Sequence, residues 1–177
     1  MTKTVALRRP QTLGEEIANA VSHGSGVVLA AAGTAVMIYL DCAGAQGLAG
    51  AIIYGLSLTV LYTASCVYHA VRDKRLKKVL RVFDHCSIFL LIAGTYAPIT
   101  LVALRDSVGI PLFAIISACA LIGITCNIID LERFKKLSMV LYVVMGWMAL
   151  LAIKPLLEIS SPSQLALLIG GYAALCA

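Results

Sequence analysis

Six long stretches of this chain contain no aspartate, glutamate, lysine or arginine: residues 17–40, 42–71, 85–104, 107–129, 137–153 and 159–177. A helix rises about 1.5 Å per residue, so roughly 20 residues cross a hydrocarbon core of about 30 Å. Each stretch is near that length. The pattern predicts an all-α fold, a polytopic transmembrane helix bundle, with spans near 18–40, 48–71, 84–104, 110–129, 138–155 and 164–177. Composition agrees, since 13% of residues are charged against about 25% in a soluble domain. The first 16 residues carry Lys3, Arg8, Arg9, Glu15 and Glu16, and the apolar run that follows is too long for a cleaved signal core.

Twelve of the fourteen lysines and arginines fall in three places: the N-terminal tail, residues 72–81 and residues 133–136. Alternate connections hold Arg105 and Lys154 alone. The positive-inside rule puts the basic side, and with it the N-terminus, in the cytoplasm. The net charge of +5 therefore reflects topology and gives no reason to expect nucleic acid as a partner. The outer connections are short and hold the turn formers Asp41, Gly44, Gly47, Asp106, Gly109 and Pro111. From Gln164 the last stretch offers 14 residues, about 21 Å of helix, so the chain is expected to stop inside its sixth helix. Gly26, Ala30 and Thr34 have the small-xxx-small spacing that lets helix backbones approach closely. Pro98 should free the carbonyl of Gly94 and kink the third span. No second domain or linker is evident, and residues 1–177 read as one membrane domain.

Polar groups at membrane depth are rare and expensive, which makes them functional candidates. His69 lies near the inner end of the second span, with Ser65 four residues earlier on the same face. Asp84 begins the third span, and the short basic turn between the two helices places all three at similar depth. A neutral imidazole suits zinc, and a carboxylate can bind a metal, orient a ligand or hold a water. Equally, His69 and Asp84 can pair with each other and fix the hairpin; spacing leaves both readings open. Glu16, Asn19 and His23 form a second polar column on the first helix at the same end. It can serve as ligand, proton relay or gate, or be an amphipathic first turn with its Glu at the helix N-terminus. On a regular helix His85 points about 100° away from Asp84 and reads as an interface residue. The six cysteines, Cys42, Cys66, Cys86, Cys119, Cys126 and Cys176, include no CxxC pair and read as small apolar residues.

Four segments carry a resemblance: EEIANAVSHGSG at 15–26, SCVYHA at 65–70, DHCSIFLLIAGTYAPITL at 84–101 and YVVMGW at 142–147. In these the chain resembles hemolysin III proteins, the bacterial branch of the progestin and adipoQ receptor (PAQR) family. The resemblance implies a seven-helix bundle in the inner membrane with a cytoplasmic N-terminus, here truncated within the sixth helix. It implies His69 as a direct zinc (Zn2+) ligand, with Asp84 and Ser65 as the catalytic pair holding the zinc-bound water. The remaining ligands would come from an HxxxH motif on the seventh helix, which this sequence does not contain.

The implied activity is that of an intramembrane hydrolase acting on a lipid amide such as ceramide, or of a metal-dependent lipid sensor. The 177-residue chain, lacking two ligands, is expected to hold zinc weakly and to be inactive by itself. The alternative is a pore-forming cytolysin, and a third reading is a receptor-like interaction protein. A pore should show a polar stripe along several spans, and these spans are apolar away from one end.

Overall fold

The computed structural model of the chain describes residues 11–40, 44–159 and Pro162. Five α-helices follow in order: α1 (Leu13–Tyr39), α2 (Ala45–Ala70), α3 (Lys74–Pro98), α4 (Ile110–Trp147) and α5 (Ile153–Ile159). Two π-helical turns, Ile99–Ala103 and Arg105–Gly109, join α3 to α4, and a 3-10 turn, Met148–Ala152, joins α4 to α5. No strand occurs among the described residues. Four helical stretches are long and apolar enough to cross a membrane: Leu13–Tyr39, Ala45–Ala70, Lys74–Ala103 and Arg105–Glu158. The last has 54 residues, about 80 Å of helix and more than twice a bilayer core. It breaks at Asp130, whose φ of −162° and ψ of 97° are extended, and so makes two crossings. Five of the six expected spans are thereby accounted for. The sixth, at 164–177, lies outside the described residues, as do Cys42, Cys176, Asp41 and the tail with Lys3, Arg8 and Arg9.

The basic segments depart from the expected loops. Only residues 71–73 link α2 to α3, and Lys74–Arg81 are helical. The reason is local: the Asp73 carboxylate accepts hydrogen bonds from the Arg75 and Leu76 amides at 3.0 and 2.8 Å, a strong N-cap. The same device recurs at the break in α4, where Asp130 accepts from the Arg133 amide at 3.0 Å. Helix therefore resumes at once, and the 130–137 region is an elbow with one extended residue. At the start of α1, Thr12 and Glu15 form a reciprocal capping box, which begins the first span five residues before the expected position. Pro98 ends α3, and π geometry follows immediately, so the expected kink takes the form of a change of helix type. Gly44, with φ of 66°, makes the turn into α2 in the left-handed region open to glycine, whereas Gly47 is already helical.

Lipid offers apolar side chains no reason to leave it, so these helices associate through close packing and hydrogen bonds. The Gly26, Ala30 and Thr34 stripe lies on the α1–α2 interface. Gly26 rests on the Tyr62 ring, Ala30 is 2% exposed, and Thr34 fills the space over Gly55. Gly50 and Gly94 allow the same approach between α2 and α3, against Pro98 and Ser57 respectively. The core lies between α3 and both arms of α4, around Phe89, Tyr96, Leu112, Ile116 and Met145. The Tyr96 hydroxyl donates to the Met145 carbonyl at 2.6 Å. Many large apolar side chains remain exposed, including Leu29, Leu121, Ile129, Trp147 and Leu151. These are the lipid-contacting faces of a multi-pass membrane protein. Cys66, Cys86, Cys119 and Cys126 are free thiols.

Candidate functional site

The polar side chains gather where α1 begins, α2 ends and α3 begins. Ser65 is buried on α2 at 5% exposure, one turn before His69. Its hydroxyl lies within hydrogen-bonding reach of the Asp84 carboxylate on α3, and the His69 ring is close enough to Asp84 to act on its charge. His69 does not pair with Asp84. Its Nδ1 lies 2.7 Å from Glu16 Oε2 on α1. An ionised carboxylate only accepts, so Nδ1 carries the proton; in the neutral ring this leaves the Nε2 lone pair free.

Glu16 is shared. Lys77, one turn into α3, donates to its other oxygen and lies 5.1 Å from the centre of the Tyr68 ring. The first three helices are thus tied at one end by a single carboxylate. The His23 ring stacks parallel to His69, with centroids 5.9 Å apart and 2° between planes, while Asn19 is half-buried between Glu16 and His23 on the helix. The column on α1 therefore belongs to the same constellation as His69. A cleft of about 460 Å³ opens beside it, lined by Glu16, Ile17, His69, Arg72 and Lys77 among others.

His85 lies nearer to Asp84 than a regular helix led us to expect. Its Nδ1 is 3.7 Å from Asp84 Oδ2, an ion-pair distance too long for a hydrogen bond, so this buried nitrogen has no hydrogen-bond partner. The backbone carbonyl of His85 accepts from the Tyr142 hydroxyl at 2.9 Å. Tyr142 sits on the second arm of α4, next to a pair that sequence reasoning missed. Asn127, fully buried, accepts from the Ser138 hydroxyl at 2.6 Å and stitches the two arms across the elbow. The signal was present: Asn127 is one of two asparagines in the chain and lies in an otherwise apolar run. Arg81 and Glu132 pair at the same end.

Among the described residues no three His, Cys, Asp or Glu side chains converge to hold a metal. The donor set still suits part of a zinc site. A ligating histidine usually gives its other ring N–H to a carboxylate, which fixes the tautomer and aims the free nitrogen, and Glu16 does this for His69. Asp84 and Ser65 supply a carboxylate and a hydroxyl nearby. One imidazole cannot close a tetrahedral shell, which requires further ligands.

The sequence profile of the family described as Haemolysin-III related matches residues 11–176. The chain is 39% identical over 168 residues to Hemolysin-3 of Bacillus cereus, covering 93% of this chain and 76% of that protein. It is 38% identical over 162 residues to the Hemolysin-3 homolog of Bacillus subtilis (strain 168), covering 90% and 76% respectively. No solved structure matches it significantly.

Proposed function

Because this chain belongs to the haemolysin III family and is a multi-pass membrane protein by the architecture above, we propose that its chemistry is zinc-dependent hydrolysis of a lipid amide within the membrane. The observation that carries this reading is the hydrogen bond between His69 Nδ1 and Glu16, which leaves Nε2 of the neutral ring available to a metal in the neighbourhood of Asp84 and Ser65. His69 is the residue that would hold the metal. Zinc, when bound, lowers the pKa of a coordinated water toward neutrality. Asp84 takes up and returns the proton, and the Ser65 hydroxyl holds the carboxylate in one orientation. The apolar spans bring a lipid to the site from the side. Where the substrate is held without turnover, the same site acts as a sensor.

The test uses the chain extended through a seventh helix carrying HxxxH. His69→Ala is expected to abolish bound zinc, and Asp84→Ala to leave zinc in place while removing hydrolysis of a ceramide-type amide. Metal analysis of the purified proteins decides: stoichiometric zinc after His69→Ala, or in the unextended 177-residue chain, would refute the proposal. The relatives' names suggest a cytolysin as the second reading. The distribution of polar groups argues against it, since those that join helices concentrate at one end.

The orientation belongs to the same proposal. Basic residues in and after the α2–α3 link, Arg72 and those of 74–81, and at the α4 elbow support a cytoplasmic location for that end, with the site, at the cell membrane. Reporter fusions after Arg75 and after Asp106 should give opposite signals. A cytoplasmic-type signal from the Asp106 fusion would reverse the assignment.

A further inference from the structure

A second hollow lies apart from the polar site. A groove of about 600 Å³ runs between α2, α3 and the first arm of α4. Asp84, His69 and Glu16 do not line it. Its walls include Val60, Val79, Phe83, Leu90 and Ile128, each between 42% and 66% exposed, so the groove is open toward the bilayer. Its polar lining residues other than Lys78 are already engaged or weakly polar. Ser87 donates to the Asp84 carbonyl at 2.6 Å, and Cys86 behaves as a small apolar residue.

Lys78 is the one charged residue of the lining. Its neighbours on α3 are neutralised within the fold, Lys77 by Glu16 and Arg81 by Glu132. No carboxylate pairs with Lys78 among the described residues. From Lys78 to Leu90 is about 18 Å of helix, close to the roughly 15 Å of one leaflet's hydrocarbon. The groove thus offers an apolar trough one leaflet deep, with an unneutralised ammonium at its basic end.

We propose that this groove holds an acyl chain of an anionic phospholipid from the leaflet on the basic side, with the lipid phosphate on Lys78. A zwitterionic lipid carries its own ammonium beside the phosphate and gains less from the lysine. The other basic residues of the segment, Arg72, Lys74 and Arg75, draw anionic lipid to the whole surface; Lys78 selects the one that enters the groove. This site does not depend on the hydrolase reading.

The test is native mass spectrometry of the 177-residue chain released from bilayers of equal phosphatidylglycerol and phosphatidylcholine. Wild type is expected to retain phosphatidylglycerol preferentially. One lysine at the surface is worth about a fivefold change in affinity, so Lys78→Gln should lower retained phosphatidylglycerol about fivefold. Lys135→Gln, at an exposed lysine of the α4 elbow on the same side, should leave it unchanged. Ala64→Phe, which fills the groove and spares Lys78, should lower it too. Equal losses from Lys78→Gln and Lys135→Gln would overturn the proposal in favour of diffuse surface attraction. A photo-crosslinker at position 83 that joins two copies of the chain and captures no lipid would overturn it in favour of a protein contact.

Discussion

Gly123→Ala is expected to destabilise the protein by about 1–3 kcal/mol, the usual range for forcing a carbon into a filled core. A Cβ at this position would stand 2.1 Å from Cζ of Phe89. That ring is wholly buried in the core cluster, and it packs against the Tyr142 ring, with centroids 4.4 Å apart. Displacement of the ring should reach Tyr142 and its hydrogen bond with the His85 carbonyl, next to Asp84. Gly33→Ala is the control. Nothing lies within 4 Å of a Cβ there, and alanine favours a helix interior over glycine by about 1 kcal/mol. Unfolding in detergent should separate the two variants in opposite directions. A Gly123→Ala protein as stable as wild type would mean that α3 and α4 are not packed as described.

The second large effect falls on Glu16. It accepts from His69 and Lys77 together, so Glu16→Ala removes the orienting partner of the imidazole and one tie between α1 and α3. In the chain extended through the seventh helix, zinc affinity should fall by about 10–100-fold, the usual loss when the partner behind a ligating histidine is removed. Glu16→Gln offers a finer comparison. It keeps an oxygen for His69 Nδ1 and loses the charge that holds Lys77, so its zinc affinity should fall less than that of Glu16→Ala. Equal affinities for wild type and Glu16→Ala, measured by competition with a chelating dye, would show that His69 needs no such support.

How these residues read from sequence follows from what each kind of interaction leaves behind in a chain. Charge exclusion from lipid writes directly into composition, so the five span positions within the described residues were legible to within a few residues, apart from the helical extensions of α3 and the elbow arm. Those were read as loops because lysine and arginine mark a membrane boundary, whereas the helix boundary is set by an aspartate cap such as Asp73 or Asp130. The approach of Ser65 to Asp84 followed from helix periodicity and a short link. The partner of His69 did not, since Glu16 stands 53 residues away and only the packing angle of α1 on α2 decides which face it meets. Asn127, Ser138 and Tyr142 were passed over for a simpler reason: they carry no charge, and their pairing spans the elbow.

The ties between helices are unevenly distributed along the bundle. Glu16 with His69 and Lys77, Arg81 with Glu132, Asn127 with Ser138 and Tyr142 with His85 all lie toward one end. Toward the other, Tyr96 apart, α1, α2 and α3 meet through glycine, alanine and small hydroxyl side chains, and α3 meets α4 through the apolar core. Two helices riveted at one end and only leaned together at the other, as α1 and α2 are, should part like a pair of tongs, with the pivot at the rivets. Thermal opening should then widen the far end between α1 and α2 most and disturb the His69 constellation least. Amide exchange should quicken along α1 in the same sense, slower beside His23 than past Thr34.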